Sequence, residues 1–232
     1  MVKVLLAGKN FSEGMSVGLS RLGIAPVMFS EDDNIPEPEL FGAVYFSGEF
    51  LTQSDKSVTI AKELCRKCSE LAVPVVFDPE LEKVSPDKYN IISETAALGV
   101  IFVPSIEEGR TLSGKQTAEE ISDYFLELGA AKIVVKLDKN GAYYKSAKES
   151  GYAPTFRADK VVDTNGAGNA FSSGLISGIT EEIPLSEAVV RANACGCIAI
   201  QTEGDLDCLP SREKVREYML NHRFVVDECK FY

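Results

Sequence analysis

Residues 163–171 read DTNGAGNAF, and the fold turns on how this stretch is read. The preceding KVV has the apolar, β-branched character of a strand, and the following AFSSGLISGI is apolar enough for a buried helix. Gly166 and Gly168 permit backbone conformations closed to other residues at the point where strand gives way to helix. Unpaired N–H groups at such a helix start, reinforced by the helix dipole, form an anion site. The same glycines also suit a turn that only joins strand to helix, and one glycine motif does not separate the two readings. Position 169 sharpens the question, because Asn169 is an amide where phosphoryl-transfer chemistry calls for a carboxylate.

Working outward, short β-branched runs alternate with amphipathic stretches: VKVLLAG then EGMSVGLSRLG, GAVYFSG then SDKSVTIAKELCRKCSEL, VPVVFDP, and GVIFVP before TAEEISDYFLELG. Near-continuous apolar strands of this kind predict a parallel sheet covered by helices on both faces, an α/β architecture. AKIVVKLDKNGAYY predicts a hairpin turning at DKNG, and helical patterns run over 167–179, 185–201 and 211–221. The acidic, proline-containing SEDDNIPEPEL (30–40) reads as a surface connector within one domain spanning 1–232.

Two rival motifs fail on context. GRTLSGKQ (109–116) has the G-x-x-x-x-G-K spacing of a Walker loop, but Gln116 follows the lysine where Ser or Thr would hold magnesium, and no strand precedes it. It reads as a helix C-cap followed by a new helix start. After the first strand, AGKNFSEG lacks the G-x-G-x-x-G of a dinucleotide site.

With 24 basic and 35 acidic residues, the formal net charge of −11 disfavours nucleic acid and anionic membranes as partners. No apolar run approaches the roughly 18 residues needed to span a bilayer, and MVKVLLAGKN lacks a cleavage site. The expectation is a soluble cytoplasmic protein acting on small molecules. Six cysteines without a secretion signal predict reduced thiols. Cys65/Cys68 and Cys195/Cys197 would make four zinc ligands, but both pairs lie in apolar helix-like stretches and read instead as small buried hydrophobes. The single histidine, His222, is expected at an exposed helix end.

Five segments in order then resemble the PfkB, or ribokinase-like, family of carbohydrate kinases. VVDTNGAGNAF is similar to the family's D-T-x-G-A-G-D-A-F at every fixed position except the last aspartate, and VPSIEEGRTLSG to its K-P-N-x-x-E-x-x-x-L-x-G. IVVKLDKNGAYY resembles V-V-T-L-G-x-x-G-A, AVVRANACGCIAI a nucleotide-pocket helix, and EGDLDCLPSREKV the closing G-x-x-x-x-x-P stretch. The resemblance implies a three-layer α/β/α Rossmann-like fold with a mostly parallel central sheet, and ATP-dependent phosphoryl transfer to a sugar or sugar-like alcohol. It implies that Gly166, Ala167 and Gly168 donate backbone N–H groups to the transferring phosphate. Asp163 and Glu108 would organise Mg2+ and its waters, Asn193 would line the adenine pocket with Gly141 nearby, and Asp138 would lie beside the nucleotide.

The departures matter as much. Position 169, occupied by Asn169, is where the family's aspartate takes the proton from the sugar hydroxyl, and an amide has no basic lone pair for that. Ser105 stands in place of the asparagine of N-x-x-E, Asp138 in place of a glycine, and Glu80 and Glu82 in place of the asparagine and arginine of D-P-N-L-R. These changes add negative charge where a triphosphate is expected. KNFSEG occupies the place of the sugar-holding G-G-x-x-x-N, with Gly14 at its asparagine position, and only IAPVMFSEDDNIPEPEL leads on to Phe41. That spacing predicts that the lid sheet is absent, leaving a monomer or a dimer built without a lid. Two functions stay open: a carbohydrate kinase of impaired activity, and a pseudokinase that binds a nucleotide or anion for regulation.

Overall fold

Eight short strands hydrogen-bond into one sheet in the order β2-β1-β3-β4-β5-β6-β7-β8. They are β1 (Lys3–Ala7), β2 (Ala25–Phe29), β3 (Ala43–Ser47), β4 (Val75–Asp78), β5 (Ile101–Phe102), β6 (Lys132–Lys136), β7 (Ala142–Ser146) and β8 (Ser150–Ala153). The computed structural model describes residues 1–8 and 13–224. Pairing is parallel from β2 through β6 and antiparallel from β6 to β8, so the sheet is mostly parallel as the alternating pattern predicts. The expected turn at DKNG is a single helical turn, Asp138–Asn140, joining β6 to β7.

Because side chains alternate across a strand, each buried strand feeds two cores. One face carries Leu5, Val44, Phe46, Phe77, Phe102 and Val135 against α3 (Asp55–Glu70), α4 (Tyr89–Ala96), α5 (Ile106–Ser113) and α6 (Ala118–Leu128). Phe46, Phe77 and Phe102 sit at paired positions on neighbouring strands. Their rings, with Phe125 of α6, form a chain with centroids 4.7 to 5.4 Å apart. The opposite face carries Val4, Leu6, Tyr45, Val76, Ile101 and Val134 against α1 (Glu13–Arg21), α7 (Ala167–Thr180) and α8 (Leu185–Ala199). A short α2 (Gly48–Leu51) follows β3, and α9 (Arg212–Asn221) closes the described chain.

Local signals explain the helix limits. Ser54, Ser105 and Thr117 cap α3, α5 and α6 with reciprocal capping boxes, and Gly114 ends α5 in the left-handed conformation. The Walker-like 109–116 is therefore a helix end and a new start. The patterns at 167–179, 185–201 and 211–221 correspond to α7, α8 and α9. His222 differs from expectation: it is half-buried, its ring stacked on Tyr218 with centroids 3.7 Å apart. Cys65 and Cys68 lie buried on α3, Cys195 and Cys197 on α8, and burial pushes the Cys65 and Cys195 thiols up to about 12. They pack as apolar groups, and among the described residues no cluster of metal-ligating side chains is present. Cys229 and residues 9–12 of KNFSEG lie outside the described residues. Every described strand belongs to the one sheet, and the connection from β2 to β3 holds only the helical turn Pro38–Leu40. No described helix is long and apolar enough to cross a membrane.

Candidate active site

In open parallel sheets ligands bind beyond the carboxyl ends of the strands, and the expected site residues gather there. The glycine turn opens α7, whose first helical residue is Ala167. Gly166 precedes it with φ +76°, and a Cβ there would lie 2.7 Å from both the Asp205 carbonyl oxygen and Cys208 Sγ, so only glycine fits. A Cβ at Gly168 would meet nothing within 4 Å. Gly168 thus faces open space at a helix start, where backbone N–H groups have no intrahelical partner. Ala167 does not share this role as expected, because its N–H already closes the turn onto the Thr164 carbonyl (3.3 Å).

Asn169 lies in the first turn of α7 and packs on the start of α1: a Cβ at Gly14 would come within 2.5 Å of its Nδ2. The two sequence departures, an amide at 169 and a glycine at 14, are therefore one contact. Ser173, one turn further on, meets Gly18 in the same way. α1 and α7 approach closely because small residues line the seam.

Asp163 sits before the turn and accepts from the N–H groups of Asn165 (3.0 Å) and Gly204 (3.3 Å). These backbone bonds hold its carboxyl below the usual range, the Asn165 bond most strongly. Asp163 thereby ties the glycine turn to the 200–208 loop. Glu108 is likewise committed: Oε1 accepts from Leu81 N–H (2.8 Å) and Oε2 from Ser105 N–H (2.7 Å) in the α5 capping box. Each carboxylate expected to serve Mg2+ has both oxygens bonded to backbone amides, in separate settings.

Glu108 lines a cavity of about 280 Å³ with Asp78, Glu80, Glu82, Ser105, Lys136 and Asp138, five carboxylates and one lysine on the wall, and Lys83 beside it pairs with Glu80 at 2.9 Å. Asp78 ends β4 and Lys136 ends β6, paired at 2.9 and 3.0 Å, and Ser172 of α7 donates to Asp78 at 3.1 Å. Burial pushes the Asp78 carboxyl up against the pull of Lys136. Burial also works to lower Lys136, but Asp78, Glu108 and Glu80 outweigh it and hold the ammonium above its ordinary value. Glu80 (φ +42°) and Asp138 (φ +51°) both occupy left-handed backbone, where asparagine and glycine are at ease.

A second cavity, about 760 Å³, adjoins the first through Lys136 and Asp138. Its walls include Gly141, Phe156, Arg157, Val161, Ala167, Gly168, Phe171, Asn193 and Ile200. Gly141 (φ +86°) has to be glycine, since a Cβ would collide with the Ala153 carbonyl. Asn193 lines this cavity, and its Nδ2 donates to the carbonyls of Ala153 (2.8 Å) and Pro154 (3.2 Å), fixing the end of β8. Asp78, Lys136 and Ser172 were not singled out by the sequence reading. A charge closing each apolar run, VVFD and IVVK, was the available signal.

A mostly parallel sheet flanked by helices, with a glycine turn opening a buried helix at its carboxyl edge, defines a ribokinase-like α/β protein. Residues 24–212 match the pfkB family carbohydrate kinase, and the chain belongs to that family. It is 41% identical over 155 residues to the 2-dehydro-3-deoxygluconokinase of Bacillus subtilis (strain 168), covering 65% of this chain and 48% of that protein. It is 30% identical over 191 residues to the aminoimidazole riboside kinase of Salmonella typhimurium, covering 77% and 58%. The chain thus spans about half the length of these curated relatives. The crystal structure of a PfkB protein from Polaromonas sp. JS666 superposes with a TM-score of 0.76 at 20% identity, covering 93% of this chain and 99% of that one, a likeness of fold.

Proposed function

We propose that this chain binds a nucleotide in the 760 Å³ cavity, with its phosphates toward Gly168, and transfers phosphate to a sugar-like hydroxyl far more slowly than its relatives or not at all. The observation that supports this is Asn169 at the head of α7, packed onto Gly14. Phosphoryl transfer asks for an anion cradle and for a group that accepts the hydroxyl proton. The cradle needs only backbone N–H and the helix dipole, both supplied by the α7 start. An amide cannot accept the proton, and loss of general-base assistance costs about 10²- to 10⁴-fold in rate. Asp163 and Glu108, each held by backbone amides, would meet Mg2+ or its waters with the lone pairs those bonds leave. The same reading takes residues 1–232 as one domain, monomeric or paired without a lid.

A nucleotide titration by calorimetry, paired with a coupled ADP-release assay over ribose, fructose, 2-keto-3-deoxygluconate and nucleosides, tests this directly. Binding with turnover at least about 100-fold below the roughly 1–100 per second of ordinary kinases is expected. Ordinary turnover on any substrate would overturn it. Turnover absent even for Asn169→Asp would favour the second, purely regulatory reading, which the close α1–α7 seam around Asn169 supports.

A further inference from the structure

The two adjoining cavities differ sharply in charge, and the difference bears on which nucleotide fits. The larger one is lined by apolar Phe156, Val161, Phe171 and Ile200, a slot suited to a flat base, with Lys139 and Arg157 exposed on its walls. Where it meets the smaller one stand Lys136 and Asp138. Lys136 is the cation that a phosphate would seek there, but both oxygens of Asp78 hold its ammonium at 2.9 and 3.0 Å. Beyond it lie Glu82, Glu108, whose oxygens accept from Leu81 and Ser105 N–H, and Glu80, which Lys83 beside the wall holds at 2.9 Å. Glu80 and Asp138 hold left-handed backbone, and the ion pair with Lys83 restrains the Glu80 carboxylate.

Building on the nucleotide reading above, we infer that this cleft selects by phosphate number: it takes adenosine or its monophosphate in preference to the triphosphate, with Asp138 and Glu80 as the residues that discriminate. A single phosphate brings a charge that Lys139 and Arg157 offset. A triphosphate carries about two further charges toward five carboxylates whose two local counter-charges, Lys136 and Lys83, are already spent on Asp78 and Glu80, and like charges about 4 Å apart repel by roughly 1 kcal/mol even in bulk water. The selectivity belongs to the cavity wall and is independent of the chemistry at Asn169.

The test is calorimetric titration of adenosine, AMP and ATP into the intact chain in EDTA at low salt, repeated at high salt and with Asp138→Asn and Glu80→Gln, which keep side-chain size while removing charge. We expect ATP to bind at least about ten-fold more weakly than AMP. High salt should shrink that ratio, because exposed charges are screened within about 10 Å at 0.1 M. Either substitution should shrink it at least about three-fold, with adenosine affinity changing less than ATP affinity. ATP binding as tightly as AMP, or a ratio that neither substitution moves, overturns the inference while leaving the cavity a nucleotide site. Binding of none of the three ligands overturns the nucleotide reading itself, and this inference with it.

Discussion

Substituting Lys136→Met removes the cation that pairs with Asp78, and its cost follows from the burial of that partner. The Asp78 side chain is 5% exposed and that of Lys136 19%. Breaking a buried ion pair from one side typically costs about 3–5 kcal/mol, because a charge is left buried without compensation. Partial exposure of Lys136, and the Ser172 hydroxyl that still donates to Asp78, place the expected loss near the lower end, about 3 kcal/mol. For a chain of this length that is a fall in Tm of roughly 6–12 °C. The pH dependence has a definite sign. Lys136 pulls the Asp78 carboxyl down, so its removal lets burial drive that group further up. A carboxyl raised on folding contributes stability that is full below its unfolded value of about 3.9 and lost as pH rises through the folded value. The deficit against the natural chain should therefore narrow between pH 7.5 and pH 5. Urea denaturation at both pH values measures it, and Asp78→Asn in the Lys136→Met background should recover part of the loss. A deficit under about 1 kcal/mol, or one that grows as pH falls, would refute the argument.

Gly168→Ala should fold with unchanged or slightly raised Tm, since a Cβ there meets nothing, yet weaken nucleotide binding at least about ten-fold by filling the cradle; calorimetry beside a thermal melt separates the two effects. Glu182, at φ +57° just beyond the end of α7, occupies the left-handed cap position, so Glu182→Gly should stabilise by about 1 kcal/mol and raise Tm by roughly 2–4 °C. Ser172→Ala should cost about 1.5–3 kcal/mol through the hydrogen bond lost to ionised Asp78, with a smaller deficit at pH 5 than at pH 7.5 in chemical denaturation. Asn169→Asp should leave turnover below the roughly 1 per second floor of ordinary kinases in the coupled assay, because the hydroxyl must be positioned as well as deprotonated.

The sheet, the order of its elements and the helix start at the glycine turn were legible because each rests on local chemistry: apolar strands, capping residues at 54, 105 and 117, and glycines at forced backbone angles. The strand read in KVV (160–162) is absent: β8 ends at Ala153, and Val161 and Val162 are exposed in the loop before the turn. The site was legible through its motif positions but less so in what each residue does. Asn193, Asp163 and Glu108 each bond backbone groups 40, 41 and 27 positions away, which no spacing rule reveals. The contact of Gly14 with Asn169 and the pairing of Asp78 with Lys136 join residues 155 and 58 positions apart. Such pairs are products of the sheet order, and only the folded chain brings them together.

The placement of α7 has a consequence for how the chain is made. Phe171, Leu175 and Ile176 cover the face of β1 and β3 that carries Val4, Leu6 and Tyr45. β3 ends at Ser47 and α7 begins at Ala167, with 119 residues between them. At a translation rate of about 5–20 residues per second, the ribosome takes roughly 6–24 s to deliver the cover after the strands have emerged. Through that interval α1, with Met15 and Leu19, is the helix already available to shield this apolar surface. Substitutions that loosen α1 will therefore lower the yield of nascent chains that reach the native state more than they lower the melting temperature of those that do.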